Sequence, residues 1–187
     1  MAFLLTTMPT GSIIFTMTNK FTEKDLMEDI RLILAKPGDE KIIHALKYSS
    51  FLPLYERYKD DETSPAKEPI EKVITKLKSE DTDYYIINAG SKPVGGIRVV
   101  DDGIVDDRQV YRISPLFIIP EYQNKGIGQR VIKMIFDMYE SADIWRLSTI
   151  KQEAGNRHLY EKCGFKLVGN EMPINDKMTI VFYEIIK

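Results

Sequence analysis

Phe117-Ile118-Ile119-Pro120-Glu121-Tyr122-Gln123-Asn124-Lys125-Gly126-Ile127-Gly128-Gln129 is the most informative stretch of this chain. An apolar run stopped by proline, a glycine-bearing turn and an amphipathic segment follow one another. Beyond Ile127 the apolar residues Val131, Met134, Ile135 and Met138 recur at helical spacing, so the pattern predicts strand, loop and helix N-terminus. Glycines let the backbone approach an anion closely, and first-turn amides have no partner inside their own helix. The macrodipole adds about half a positive charge there, and Lys125 and Arg130 add more. Such a site favours a phosphate or pyrophosphate. It lacks the Gly-Lys-Ser/Thr ending of a P-loop and the third glycine of the dinucleotide fingerprint. Taken alone, Gly126-x-Gly128 suits a plain turn as well as an anion site.

The flanking sequence reads as alternating strands and helices. Ile30 to Leu34 is a short strand closed by Lys36-Pro37-Gly38, and Asp39-Glu40 opens a helix through Ile42, Ile43 and Leu46. Phe51 to Tyr58 reads as a second helix, Asp60 to Pro69 as a loop, and Ile70 to Leu77 as a third helix. Tyr84 to Asn88 and Val94 to Val100 form a hairpin across Ala89-Gly90-Ser91-Lys92. Asp101 to Asp107 is read as the connection to a long strand, Gln109 to Ile119. Downstream come a strand at Ile144 to Ile150, a helix from Asn156 to Cys163 ended by Gly164, and strands at Phe165 to Val168 and Met178 to Ile186. Mixed strands and helices in this order predict a single α/β or α+β sheet.

Composition narrows the function classes. The 187 residues carry a net charge of −2, which argues against binding nucleic acid through bulk charge. One cysteine and two histidines cannot build a disulfide framework or a Cys/His zinc site, so no metal is expected and a cytoplasmic location is the default. Met1 to Asn19 has no side-chain charge, and its apolar pieces are split by Pro9-Thr10-Gly11-Ser12, too short to cross a membrane. Residues 1–28 are read as an N-terminal extension or the product of an upstream start codon, with export as the alternative. Residues 29–187 are read as one domain.

Two blocks carry a family resemblance. Gln123-Asn124-Lys125-Gly126-Ile127-Gly128 resembles the Gln/Arg-x-x-Gly-x-Gly/Ala signature of the GNAT N-acetyltransferases, and Leu159-Tyr160-Glu161-Lys162-Cys163-Gly164-Phe165 resembles their Leu-Tyr-Glu-Lys-x-Gly-Phe block. The element order from Ile30 onward is similar too. The resemblance implies a mostly antiparallel sheet with a splayed parallel pair, flanked by helices, and acetyl-coenzyme A as co-substrate. It implies that the backbone of Phe117, Ile118 and Ile119 pairs with the pantetheine arm between the strands of Phe117 and Trp145. It implies that the amides of Gln123, Asn124, Lys125, Gly126, Ile127, Gly128 and Gln129 hold the pyrophosphate. Tyr160 matches the tyrosine that protonates the departing thiolate.

Two features depart from the family pattern. Its asparagine more often lies seven residues before the tyrosine, where this chain has Glu153; Asn156 is the nearer candidate, either contacting the cofactor arm or capping its helix. The strand Tyr111 to Leu116 has no carboxylate, which leaves Glu153 as the first candidate for general base. Separately, Pro115 inside that strand predicts a bulge or an interrupted ladder, a break that would free an amide to polarise the thioester carbonyl.

The resemblance implies a primary amine as acceptor, on a small molecule or a peptide of undefined class, with a homodimer compatible with the family and neither nucleic acid nor membrane expected as partner. Tyr48, Phe51, Tyr55 and Tyr58 form a helical stripe, read as core or as acceptor-pocket wall. Asp60, Asp61 and Glu62 are read as a solvated loop or an attractor of cationic amines. Cys163 is read as packing, and His44 and His158 receive no role. A non-catalytic acyl-coenzyme A-binding domain of the same fold is the alternative function.

Overall fold

The computed structural model describes residues 29–187, and the expected extension, residues 1–28, lies outside them. Strand β1 (Ile30–Leu34) ends where Pro37-Gly38 turns the chain into helices α1 (Glu40–Tyr58) and α2 (Ile70–Leu77). Strands β2 (Thr82–Ala89), β3 (Lys92–Val105) and β4 (Arg108–Ile118) form a meander. They are followed by α3 (Ile127–Met138), β5 (Ile144–Ile150), α4 (Ala154–Lys162), β6 (Lys166–Asn175) and β7 (Met178–Ile186). The seven strands make one sheet in the order β1-β2-β3-β4-β5-β7-β6. Every neighbouring pair is antiparallel except β4 with β5.

The parallel pair is brief. Pairing runs from Val110–Ile144 to Arg112–Arg146, after which β4 continues to Ile118 and β5 to Ile150 without meeting again. The splayed pair implied by the family resemblance is therefore present. The β4 bulge is present as well: Ile97 faces Leu116 and Val99 faces Ile113, so Ser114 and Pro115 together oppose Arg98. Proline has no amide to give the ladder, and the Arg98 side chain donates to the freed Ser114 carbonyl instead.

Strand periodicity distributes the core over both faces of the sheet. Alternate residues of β2 point to opposite sides. Tyr84 and Ile86 pack with Ile43 of α1, Val73 of α2 and Phe117, while Tyr85 and Ile87 join Val131, Ile132 and Ile135 of α3 and Tyr160 of α4. Lys47, fully buried on α1, is ion-paired with Glu68, which also pairs with Lys76 of α2. Burial, with the nearby cations Lys76 and Arg98, pushes the Lys47 ammonium down to about 7.

Three boundaries differ from the sequence expectation. The two helices expected between Asp39 and Tyr58 are one, because Ser49-Ser50 does not break the turn. The Ser50 hydroxyl donates to the Leu46 carbonyl at 2.7 Å, and Pro53 is accommodated inside the helix. The acidic connection is mostly strand. Arg112 clasps Asp102 at 2.9 and 2.7 Å, Gln109 donates to Asp101 at 2.6 Å, and only Asp106-Asp107, with φ of 48° and 61°, forms the turn. Strand β6 runs on to Asn175; it is an exposed edge, so no buried alternation marks its length in the sequence.

Candidate active site

The loop between β4 and α3 sets the first half of the site. Pro120–Tyr122 form a single 3₁₀ turn, Asn124 adopts φ 59° and Gly126 φ 79°, and α3 begins at Ile127. The Arg130 amide donates to the Gly126 carbonyl at 3.2 Å, and Gly126, at the N-cap, has no side chain to cap the amides between them. The first-turn amides of Ile127, Gly128 and Gln129 thus remain available to an anion. Gly126 supplies the left-handed conformation this start requires. Gly128 has a second reason to be glycine, since a Cβ there would lie 2.9 Å from a methyl of Leu159 on α4.

The backbone of β4 faces two ways. The Ile119 amide donates to Val94 at 2.9 Å and its carbonyl accepts from Tyr122 at 2.9 Å, and the Phe117 carbonyl is turned toward Gly95 of β3. Ile119 and Phe117 therefore do not offer backbone to the gap, which corrects that part of the expectation. Strand alternation leaves Ile118 and Leu116 facing the side where β5 has departed. The Ile118 carbonyl is held by the Gln123 side chain at 2.7 Å. Lys125 also stands apart from the cleft lining, with its ammonium 5.4 Å from the centre of the Tyr122 ring.

Two cavities meet in the gap. A cleft of about 640 Å³ is bordered by Phe117, Ile118, Gln123, Asn124 and Gly126 to Gln129. A chamber of about 360 Å³ lies beyond it, walled by α1, the bulge of β4, β5 and the β6–β7 hairpin. Phe51, Leu54, Leu116, Asn156 and Tyr160 border both. Tyr160 is buried, and its hydroxyl has no hydrogen-bond partner among the described residues. Burial pushes the Tyr160 phenol up to about 12. Asn156 lies inside the first turn of α4, which starts two residues earlier than expected, and makes no cap. That corrects its reading as a helix cap.

Glu153 precedes α4 and lines the cleft rather than the chamber. Its carboxylate accepts from Arg57 at 2.5 Å and from the Tyr58 hydroxyl at 2.6 Å, both at the end of α1. Burial, followed by the bond to Glu153, raises the Tyr58 phenol, so it stays a proton donor. Tyr58 itself borders the chamber, linking that space to the carboxylate.

Of the aromatic stripe, Phe51, Tyr55 and Tyr58 wall the chamber and Tyr48 lies outside it, exposed. The acidic run divides. Asp60 is buried, accepting from the amides of Glu62 and Thr63 at 3.1 and 2.9 Å and from the Thr63 hydroxyl, whereas Asp61 accepts from Tyr55 at 2.8 Å. Cys163 is half-buried with its thiol pushed up by burial, consistent with packing. Sequence reading missed Arg57, Leu54 and the β7 wall residue Phe182. Leu54 continues the aromatic stripe one helical turn after Phe51 and was legible; Phe182 carries no local signal, because only the strand order brings it to the gap.

Comparison with known proteins agrees with this geometry. Residues 48–165 match the model of the acetyltransferase (GNAT) family. No curated protein sequence matches the chain significantly. Among solved structures, an acetyltransferase from Thermus thermophilus aligns with a TM-score of 0.65 at 16% identity, covering 84% of this chain and 97% of that one. Spermidine N-acetyltransferase from Vibrio cholerae, in complex with CoA and spermine, aligns at 0.66 and 20% identity, covering 85% and 96%. An acetyltransferase from Salmonella typhimurium that modifies the N-terminal serine of ribosomal protein L7/L12 aligns at 0.63 and 15% identity, covering 84% and 95%. At these identities the structures speak for the fold alone. The family model spans well over half of the chain, from α1 to the end of the Tyr160 block: the chain belongs to the GNAT acetyltransferase family.

Proposed function

We propose that this protein transfers an acetyl group from acetyl-coenzyme A to a primary amine by direct attack. The observation that carries the reading is the junction of two cavities at Tyr160, with uncapped helix amides along one of them. The residues present suit the co-substrate. First-turn amides of α3 would hold its pyrophosphate, and the gap-facing backbone of Ile118 and Leu116 would run beside its amide-bearing arm. Acetyl-coenzyme A supplies the activated acyl carbon as a thioester.

The chain's own residues then divide the work. The amine nitrogen bonds to the acyl carbon, the carbon–sulfur bond breaks, sulfur leaves with its electron pair and takes a proton, and nitrogen gives one up. Tyr160 is the donor to sulfur. A phenol near 12 facing a thiol of ordinary pKa ~8.5 is uphill by several units in the ground state. Donation is therefore coupled to the charge that develops on sulfur as its bond breaks, and burial keeps the phenol protonated until then. Tyr58 and Glu153 form the proton exit, the amine proton passing to the Tyr58 oxygen as Tyr58 donates to Glu153. Asn156, bordering both cavities, orients the arm.

Isothermal titration with acetyl-coenzyme A tests the cleft, and thiol release in the presence of amines tests transfer. Micromolar binding with amine-dependent thiol release is the expected outcome. No binding at millimolar ligand would sink the assignment, and binding without any amine-dependent release would favour a non-catalytic acyl-coenzyme A-binding domain.

A further inference from the structure

The acceptor chamber has a chemical character of its own. Its walls include the apolar side chains of Phe51, Leu54, Ile113, Ile174, Ile180 and Phe182, of which all but Ile113 are only half-buried. Half-buried apolar surface around an enclosed space is surface that a ligand can still remove from water. The polar groups among them are neutral hydroxyls and the Asn156 amide, with one exception. Asp60 is the single carboxylate bordering the chamber among the described residues, and three hydrogen bonds from Glu62 and Thr63 hold it within its own turn. Glu153, reached through the Tyr58 link, lies outside the chamber lining and is ion-paired with Arg57.

We infer that the acceptor is a monoamine with an uncharged, apolar body, and that polyamines and other dications are poor substrates. This rests on the proposed function and names its substrate class. The reacting amine enters as an ammonium and loses its proton at the junction, so its charge is not carried through the transfer. A second ammonium has no such exit. It would sit against aliphatic and aromatic walls, facing only a carboxylate already held in its own turn, and a poorly paired cation in such surroundings bears a heavy desolvation cost. An apolar body instead displaces water from Leu54, Ile180 and Phe182.

A matched pair of amines tests this directly. Hexylamine and 1,6-diaminohexane have the same chain length and differ in the second amino group. Initial rates of thiol release with saturating acetyl-coenzyme A should give hexylamine a kcat/KM at least tenfold higher, although the diamine has two ends that can react. Ser148→Asp places a carboxylate on an exposed β5 position bordering the chamber and should narrow that ratio at least threefold. Equal rates, a preference for the diamine, or no turnover of hexylamine by protein that binds acetyl-coenzyme A overturns the inference. Titration of acetyl-coenzyme A in the same samples separates the two levels: failure to bind overturns the reading of the cleft, and this inference with it.

Discussion

Arg57, in the last turn of α1, and Glu153, at the start of α4, are ion-paired at 2.5 Å although 96 residues separate them in the chain. The contact joins the two helices that border the mouth of the gap, and the Tyr58 hydroxyl adds a second bond to the same carboxylate. Its position suggests two roles, fastening the site and receiving a proton, and substitutions separate them. Glu153→Gln keeps an oxygen that accepts both bonds but removes the charge, so it should lower kcat at least tenfold while leaving acetyl-coenzyme A affinity within about twofold. Arg57→Ala loosens the fastening and should raise KM for the amine severalfold with a smaller loss in kcat. Because Arg57 is well exposed, its removal should leave the urea midpoint nearly unchanged. If Glu153→Gln leaves kcat unchanged, the proton exit runs elsewhere.

Tyr160→Phe removes the hydroxyl and little else, since that hydroxyl has no hydrogen-bond partner among the described residues. Turnover should fall tenfold or more with the affinity for acetyl-coenzyme A nearly intact. The pH profile carries its own signature. The phenol is raised to about 12, so Tyr160 remains protonated throughout the usable range. An amine that enters as an ammonium keeps that form up to its ordinary pKa ~10.4, so kcat/KM should show no alkaline decline below that value. A falling limb between pH ~8 and ~10 would assign the acid role to another group.

The two glycines of the loop should respond differently. Gly126→Ala forces a side chain into φ 79° with open space around it, costing about 1 kcal/mol in conformation and crowding the path to the α3 amides. Acetyl-coenzyme A binding should weaken more than the melting temperature suggests. Gly128→Ala meets the end of the Leu159 side chain, which can rotate aside, so its effect should appear in stability first. Paired titration and thermal melts on both variants decide between these patterns.

Glu68→Gln leaves Lys47 buried beside Lys76 and Arg98 without its counter-charge. Breaking a buried pair in this way typically costs about 3–5 kcal/mol. The deficit should shrink as pH rises. Lys47 is lowered from its ordinary value to about 7, so between there and pH ~10 the unfolded chain still holds a proton the native state has released, and stability increases with pH across that window. Urea unfolding of the variant at about pH 6.5 and about pH 9 should show the larger loss at the lower value; equal losses would mean that Lys47 stays charged throughout.

Much of this architecture was legible because local chemistry and global position coincide. Pro120, Gly126 and the spacing from Ile127 to Met138 mark a strand end, a left-handed start and a helix within one window, and each has a local cause. The bulge at Pro115 was legible for the same reason, as an amide missing from a ladder. Elsewhere the cause lay far away in sequence. Asp101 and Asp102 look like a loop until Gln109 and Arg112 are seen opposite them, and Phe182 joins the chamber only because β7 lies next to β5. Which carbonyls of Phe117, Ile118 and Ile119 face the gap depends on register with β3, and no side-chain pattern encodes that. Glu153 stands out by its place at a strand end, but its two partners on α1 have no signature linking them to it.

The brief pairing of β4 with β5 makes the sheet two panels, β1–β4 and β5–β7–β6, riveted together at one end by the ladder from Val110 to Arg112. Beyond that ladder the facing edges of β4 and β5 lack each other's hydrogen bonds, so a single arm of a donor laid in the fork would meet both panels at once.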